Sequence, residues 1–431
     1  MRPPLPAGPF LVVGLARSGE AVARALSARG ERVVGYDANE HGAIDGVEVV
    51  IGGGGVELLD GIGCLVKSPG VPREAAVVAA ALERGITVIG ELELAWRLLP
   101  GELIAVTGTN GKTTTVELIG QIHRAAGLPV EVAGNVGRAL SRLLLEPPEA
   151  GATIVCETSS FQLEDTLAFA PDAAVLLNLA EDHLDRHHSF NSYKEAKLRV
   201  FANQPPDAIA VLPEELAQLA PGPARSILFG TSEHCALRLE REELRWQGER
   251  LLGLSELRMR APVEDAMAAA AVTLARGLSL GAVHDALVEF RGVAHRLEEV
   301  AIVDGVAYVN DSKATNVAST LVALGAFEQG SVLLILGGQG KSQDFSPLRE
   351  AVAARAAHTY LIGEDADQIA AALDDLPLTH AATLERAVAL ARAAAQPGSV
   401  ILLSPACASF DQFANFEARG DAFRNLVTGQ A

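Results

Sequence analysis

Short apolar runs alternate with helical patterns from the start of the chain. Phe10–Gly14 reads as a first strand within an apolar run, Phe10–Ala16, that is too short to span a bilayer, and Arg17 and Glu20 then open a helical pattern over about Ser18–Ala28. Arg32–Tyr36 and Cys64–Lys67 repeat the β-rich run, with Ala-rich helical stretches between them. Such alternation predicts a parallel sheet with helices packed on it. Arg97–Gly101, interrupted by Pro100, reads as a linker. A second series begins at Leu103–Thr107 and continues through Thr153–Glu157, Ala174–Asn178 and Ile209–Leu212. Its later stretch, Ile227–Arg260, is more β-like and charged and predicts hairpins that close this part. A third series runs from about Val293, with candidate strands at Val300–Asp304, Val306–Asn310, Val332–Leu336, Thr359–Ile362 and Val400–Leu403, and a final helix over about Phe410–Leu426.

A chain of 431 residues is too long for one ordinary core, and the three series are read as three α/β domains at 1–92, 93–292 and 293–431. The composition, 49% hydrophobic and 21% charged, is that of a globular enzyme. A formal net charge of −19 argues against duplex nucleic acid or an anionic membrane as partner, while leaving room for local Lys and Arg to hold a small phosphorylated substrate. Cys64, Cys156, Cys235 and Cys407 are widely spaced and form no CxxC pair, so neither a zinc site nor a disulfide framework is indicated. With no spanning segment or lipidation signature, the expectation is a soluble, cytoplasmic protein.

The strongest chemical signal follows Leu103–Thr107. The apolar strand pattern runs directly into Gly108-Thr109-Asn110-Gly111-Lys112-Thr113-Thr114-Thr115, then into a helix with Val116, Ile119 and Ile122 on one face. Strand, glycine loop and helix N-terminus together form a phosphate cradle. Glycines let backbone N–H groups approach phosphate oxygens, the helix end adds partial positive charge, and Lys112 adds a full one. Thr113 is placed to bind Mg²⁺. The usual P-loop spacing would put glycine at position 106, where this chain has Val106, so the general pattern is only partly met.

Further candidates lie downstream. Glu157 ends a strand, where a carboxylate can face a nucleotide at the carboxyl edge of the sheet. Glu181-Asp182-His183-Leu184-Asp185-Arg186-His187-His188 could hold metal, position a phosphate, or be a polar loop. Helical spacing places Lys197 on the same face as Tyr193, Val200 and Phe201; a lysine on an apolar face either snorkels to solvent or has a task there.

These segments resemble the Mur ligase family: TGTNGKTTT at 107–115, GNVG at 134–137, ETSSFQLE at 157–164, NLAEDHLDRH at 178–187 and YKEAKLR at 193–199. Asn310–Asn316, Gly337–Phe345 and Ser404–Phe413 resemble the members that add D-glutamate. The resemblance implies a Rossmann-like N-terminal domain for the UDP end of the substrate, a P-loop-type central ATPase domain with a mostly parallel sheet, and a Rossmann-like C-terminal domain carrying the amino acid. It implies ATP-dependent ligation of D-glutamate to UDP-N-acetylmuramoyl-L-alanine through an acyl phosphate, by a monomer acting on small molecules. ATP would contact Gly108 to Thr115, Asp265, Arg296, Asp311 and Lys313. Two Mg²⁺ ions are implied, one with Thr113 and Glu157, the other with His183 and a carbamylated Lys197. Gly14, Leu15, Asp37 and Ser68 would surround uridine diphosphate, and Asn135 and Gln162 the muramoyl-alanine part. Asp37 also suits an ordinary turn.

D-glutamate carries two carboxylates and calls for a cation and directed donors, assigned to Lys341, Ser409 and Thr315, with Phe416 shaping the pocket; Ser409 is expected just before the final helix, where free N–H groups favour an anion. Phe416 equally suits core packing, since Phe413, Phe416 and Phe423 would share a helical stripe. One departure stands out. Where the family has a His-Asn pair and a further Asn near adenine, this chain aligns Ala261, Pro262 and Asp265, so adenine should be read by backbone groups and Asp265, with weaker base discrimination. Competing readings explain less. A dehydrogenase leaves the Lys112 loop without a role, and a noncatalytic nucleotide switch leaves the Lys341 and Ser409 segments without one; a sibling ligase adding another amino acid is the nearest alternative.

Overall fold

Three sheets, mostly parallel, organise the computed structural model, which describes residues 2–39, 41–219, 222–259, 262–340 and 343–429. The first sheet contains β1 (Phe10–Val13), β2 (Val33–Asp37), β3 (Glu48–Ile51), β4 (Cys64–Lys67) and β5 (Thr87–Gly90), in the order β3-β2-β1-β4-β5 and parallel throughout. β1 and β4 are buried along their whole length, as continuous apolar runs in a sheet covered on both faces should be. The chain reverses its direction of winding between β1 and β4, which opens a crevice at their carboxyl ends.

The second sheet holds β6 (Leu103–Thr107), β7 (Val130–Gly134), β8 (Thr153–Glu157), β9 (Ala173–Leu176), β10 (Ile209–Pro213), β11 (Arg225–Gly230), β12 (Leu237–Glu240), β13 (Glu243–Trp246) and β14 (Glu249–Gly253). Their order is β14-β13-β12-β11-β10-β9-β6-β8-β7, so β6 lies between β8 and β9. The expected hairpins are found only at the far edge. β12, β13 and β14 form an antiparallel meander, whereas β11 pairs in parallel with both β10 and β12.

The third sheet comprises β15 (Glu298–Val303), β16 (Val306–Asn310), β17 (Val332–Gly337), β18 (Ala356–Ile362), β19 (Leu378–Ala382) and β20 (Val400–Leu403), ordered β15-β16-β20-β17-β18-β19. Only the β15–β16 hairpin is antiparallel. The last helix is Phe416–Thr428, not the longer span expected from Phe410. Asn415 fixes its start by accepting the Ala418 N–H on its side chain, and residues 410–415 form turns, so Phe413 lies outside the helix and shares no helical stripe with Phe416, and Ser409 does not stand at the helix start as expected. Likewise, the helix Glu91–Leu98 takes in Arg97, the first residue of the expected linker. Among the described residues no helix is long and apolar enough to cross a membrane.

Contacts gather the chain into two compact units. One comprises residues 1–257 and 262–289 and carries the first two sheets; the other comprises 258–261 and 290–431 and carries the third. Within the first unit, the two sheets are joined by buried charge. Lys67 Nζ, at the end of β4, is 2.7 Å from Asp165 Oδ2 and 3.6 Å from Glu164 Oε1. Glu93, fully enclosed on the helix Glu91–Leu98, accepts backbone N–H groups of Leu167, Ala168 and Phe169 at 2.9–3.2 Å and pairs with Arg97. Replacing it with alanine takes the acceptor from three backbone donors and the ion-pair partner from Arg97. Glu93→Ala should therefore lower unfolding free energy by about 3 kcal/mol in urea titration, and a midpoint equal to the parent's would show that this segment is held by other means.

Candidate active site

The phosphate loop is built by backbone conformations that glycine supplies. Gly108 has φ +154°, Gly111 has φ +83°, and Gly111 caps the helix Lys112–Ala125. A side chain at Gly111 would collide with the carboxylate of Asp265, which packs directly on the loop; a side chain at Gly108 would meet Leu177 at 2.9 Å. The topology sets the loop's neighbours, since Glu157 ends β8 on one side of β6 and Asn178 follows β9 on the other. Asn178 Oδ1 accepts the N–H groups of Thr109 (3.1 Å) and Asn110 (2.9 Å), and the Thr109 hydroxyl lies 3.0 Å from the Tyr193 hydroxyl. The loop is thus held from its flank before any ligand arrives.

Charged and polar groups converge around it. Thr113 Oγ1 donates to Glu157 Oε2 at 2.8 Å, and Asn135 Nδ2 donates to Glu157 Oε1 at 3.1 Å. Gly134 makes that approach achievable, because a Cβ there would run into the Glu157 backbone. Lys112 Nζ donates to the carbonyls of Gly108 and Thr109, both at 2.8 Å. Lys197, only 2% exposed, donates to the same Gly108 carbonyl at 2.7 Å and lies 4.6 Å from the centre of the Tyr193 ring. Burial first, and then the nearby Lys112 charge, push the Lys197 amine down to about 7. The apolar face seen in the sequence therefore carries Lys197 inward to the loop. His183 is exposed, with φ +51° and its ring 4.8 Å from that of Phe161. Thr114 and Thr115 are buried in the first helical turn, and the Thr115 hydroxyl has no hydrogen-bond partner. Among the described residues, no three His, Cys, Asp or Glu side chains gather as a ready-made metal cage.

At the crevice of the first sheet, Gly14 has φ +84°, Ser68 Oγ donates to its carbonyl at 2.7 Å, and Asp37 Oδ2 accepts the Leu15 N–H at 2.6 Å. Asp37 Oδ1 also accepts the Asn39 N–H, so this carboxylate closes its own turn and braces the glycine turn beside it. Gln162 and Ser159 form a capping box at the start of the helix Ser160–Leu163.

In the second unit, the segments after β16, β20 and β17 lie on three adjacent strands. Asp311 is buried; it accepts Ser404 Oγ at 2.8 Å and the Leu297 N–H at 3.1 Å, and burial raises its carboxyl to about 7 despite those donors. Arg296 is half-buried in the turn that precedes β15. Ser409 is buried, Thr315 half-buried, and Lys313 Nζ lies 5.4 Å from the centre of the Phe416 ring. Phe416 is the first residue of its helix, outside the core occupied by Phe423. Lys341 and Ala261 lie outside the described residues. Pro262 immediately precedes the helix Val263–Ala275, which carries Asp265.

The sequence profile of the Mur ligase middle domain matches residues 106–263, and that of the Mur ligase, glutamate ligase domain matches residues 295–407. A UDP-N-acetylmuramoylalanine–D-glutamate ligase of Geotalea uraniireducens is 42% identical over 97% of this chain and 96% of its own. The protein of that name from Acidobacterium capsulatum is 41% identical, covering 97% and 95%. The chain belongs to the Mur ligase family. Its fold is also that of the MurF ligase of Thermotoga maritima, solved in complex with ADP, with a TM-score of 0.60 over 99% of this chain and 96% of that one, at 16% identity.

Two residues, one in each unit, hold candidate segments together and were not singled out by sequence reasoning. Arg419, buried on the last helix, donates to Ser312 Oγ and to the carbonyls of Ser312, Cys407 and Ala408, tying the segments after β16 and β20 together. Asn178 holds the phosphate loop; its signal was a polar amide placed directly after an apolar strand, the same position that drew attention to Glu157. Asn178→Ala frees the Asn110 N–H and leaves the Thr109 N–H only the backbone carbonyl of residue 178, and should weaken nucleoside triphosphate binding roughly tenfold by titration calorimetry while leaving the fold intact. Parental affinity would mean that the loop is rigid without this amide.

Proposed function

We propose that this chain ligates D-glutamate to UDP-N-acetylmuramoyl-L-alanine at the expense of ATP, giving ADP and phosphate. The observation that carries the reading is the full-length identity of about two residues in five with ligases of that name, on a chain whose phosphate loop, Glu157 and Lys197 converge at one sheet edge. Residues 1–92 would take the UDP end, residues 93–292 ATP, and residues 293–431 the amino acid. A free carboxylate resists amine attack. Transfer of the ATP γ-phosphoryl group to the alanine carboxylate gives an acyl phosphate, the D-glutamate amine attacks its carbonyl carbon, and phosphate leaves.

The chain's own groups fit these steps. Loop N–H groups and Lys112 cradle the triphosphate and offset the charge that develops on the transferred phosphoryl group. Gly14, Leu15, Asp37 and Ser68 form the turn for the uridine diphosphate, while Asn135 and Gln162 flank the muramoyl-alanine end. Thr113 and Glu157 bring hard oxygen donors within 2.8 Å of one another, a donor set that suits Mg²⁺. Bound there, Mg²⁺ would neutralise phosphate charge and polarise the oxygens it touches. A second ion is assigned to His183 and Lys197. The burial that lowers the Lys197 amine favours the neutral form that reacts with carbon dioxide, and the resulting carbamate replaces a repelling charge with two oxygens.

Arg296, Asp311 and Lys313 are assigned to ATP, and Thr315, Lys341, Ser409 and Phe416 to D-glutamate. Asp265, pressed on Gly111, is the side chain assigned to the purine, so discrimination against other purine triphosphates should be weaker than an amide at that position would give. A cytoplasmic monomer acting on small molecules completes the reading, consistent with a net charge of −19.

A panel of amino acids presented with UDP-N-acetylmuramoyl-L-alanine and ATP tests the function through phosphate release. D-glutamate alone should support turnover. Preference for another amino acid would make the protein a sibling ligase, and phosphate release indifferent to all of them would favour a nucleotide switch. Lys197→Arg keeps the charge but cannot form this carbamate. It should reduce turnover by at least roughly a hundredfold with ATP binding retained, whereas a small carboxylic acid should partly revive Lys197→Ala. An arginine variant as active as the parent would make the lysine structural.

A further inference from the structure

One buried group in the first unit has no part in the steps above. Glu91, the first residue of the helix Glu91–Leu98, is 1% exposed, and burial raises its carboxyl above the ordinary range. Oε1 accepts the Ser141 N–H at 2.7 Å, while Oε2 is enclosed and makes no hydrogen bond of good geometry, although the Gln162 side chain is near enough to favour the ionised form. An incompletely satisfied carboxyl is costly at a place where leucine or methionine could fill the same space. Its surroundings give the cost a purpose. Ser141 Oγ donates to the Ser18 carbonyl at 3.2 Å, and the Ser18 hydroxyl lies 3.4 Å from that of Ser68, which holds the Gly14 turn. On the other side, Gln162 Oε1 accepts the Ser159 N–H at 3.0 Å, two residues beyond Glu157.

We propose that Glu91 is a positioning residue for the muramoyl substrate: by gripping Ser141 and standing against Gln162, it fixes the spacing between the glycine turn for the uridine diphosphate and the helix start that faces the muramoyl-alanine part. The inference rests on the proposed function. A substrate that bridges two sheets needs both ends of its site in register, and Glu91 stands at the junction, directly after β5 and against segments of the second sheet. A misplacement of the order of 1 Å at either end would weaken a rigid bridging ligand while leaving the phosphate loop, held separately by Asn178, unaffected.

Steady-state kinetics on Glu91→Leu and Glu91→Gln, with unfolding temperatures measured alongside, test this. The parent must first ligate D-glutamate to UDP-N-acetylmuramoyl-L-alanine; if it does not, the proposed function fails rather than this inference. With a ligating parent, Glu91→Leu should remain folded and raise the KM for the muramoyl substrate roughly tenfold, with KM for ATP and D-glutamate changed by less than about twofold. Glu91→Gln, which still offers Ser141 an acceptor, should recover to within about threefold of the parent. A parental muramoyl KM in the leucine variant, an equal rise in all three constants, or a glutamine variant no better than leucine would overturn the proposal. Should Glu91→Leu not fold, Glu91→Met, which likewise takes the acceptor from the Ser141 N–H, takes its place: a selective rise of roughly threefold or more in the muramoyl KM supports the role, and unchanged constants overturn it.

Discussion

Two lysines share one acceptor. Lys112 and Lys197, from different helices, both donate to the carbonyl of Gly108 at 2.7–2.8 Å, and this convergence of like charges is the constraint on which the site depends. Two ammonium groups so close repel one another, which, after burial, is why the Lys197 amine is lowered. The arrangement persists because the surroundings determine it: Asn178 holds the loop from β9, Glu157 supplies negative charge from β8, and the Tyr193 ring covers Lys197. Such concentrated positive charge is relieved by an anion above the loop or by modification of one amine.

The same device recurs at the first sheet without the charge. There a glycine turn follows the central strand, and Ser68 and Asp37 from the neighbouring strands hold its carbonyl and the next N–H. In each case the strand order places a glycine turn between two flanking carboxyl ends, and polar side chains from those ends lock it. The third sheet does this with backbone pairing: Gln339 and Ala408 exchange two 2.9 Å hydrogen bonds, and Arg419 ties the neighbouring segments together from beneath.

Much of this was legible in sequence where the information is local. Strands such as Leu103–Thr107 and Val400–Leu403 read directly because burial on both faces demands an unbroken apolar run. The strands Glu48–Ile51 and Leu378–Ala382 did not, being short, partly exposed edges with no distinct period. The phosphate loop was legible because strand, glycines and lysine are contiguous, and Lys197 because its helical face is apolar. Asn178, Arg419 and the Glu91–Ser141 contact were not, since each acquires its meaning from a partner many residues away that only the topology brings near. The last helix begins at Phe416 and not near Phe410 for a local reason: the Asn415 side chain caps it.

Net charge is a poor guide to this site, and the reason is one of range. A chain of net charge −19 would repel a phosphorylated substrate at long distance, yet at physiological ionic strength that repulsion is screened over about 8 Å. Within that distance, orientation matters more than the total. Several carboxylates that follow the strands are occupied with structural donors: Asp37 accepts two backbone N–H groups, Glu157 accepts Thr113 and Asn135, and Asp311 accepts Ser404 and Leu297. Each spreads its charge over the donors it holds, while Lys112 donates to the loop carbonyls of Gly108 and Thr109. An acidic protein can therefore keep an anion site, provided its own anions bind backbone and hydroxyl groups rather than compete for the cations.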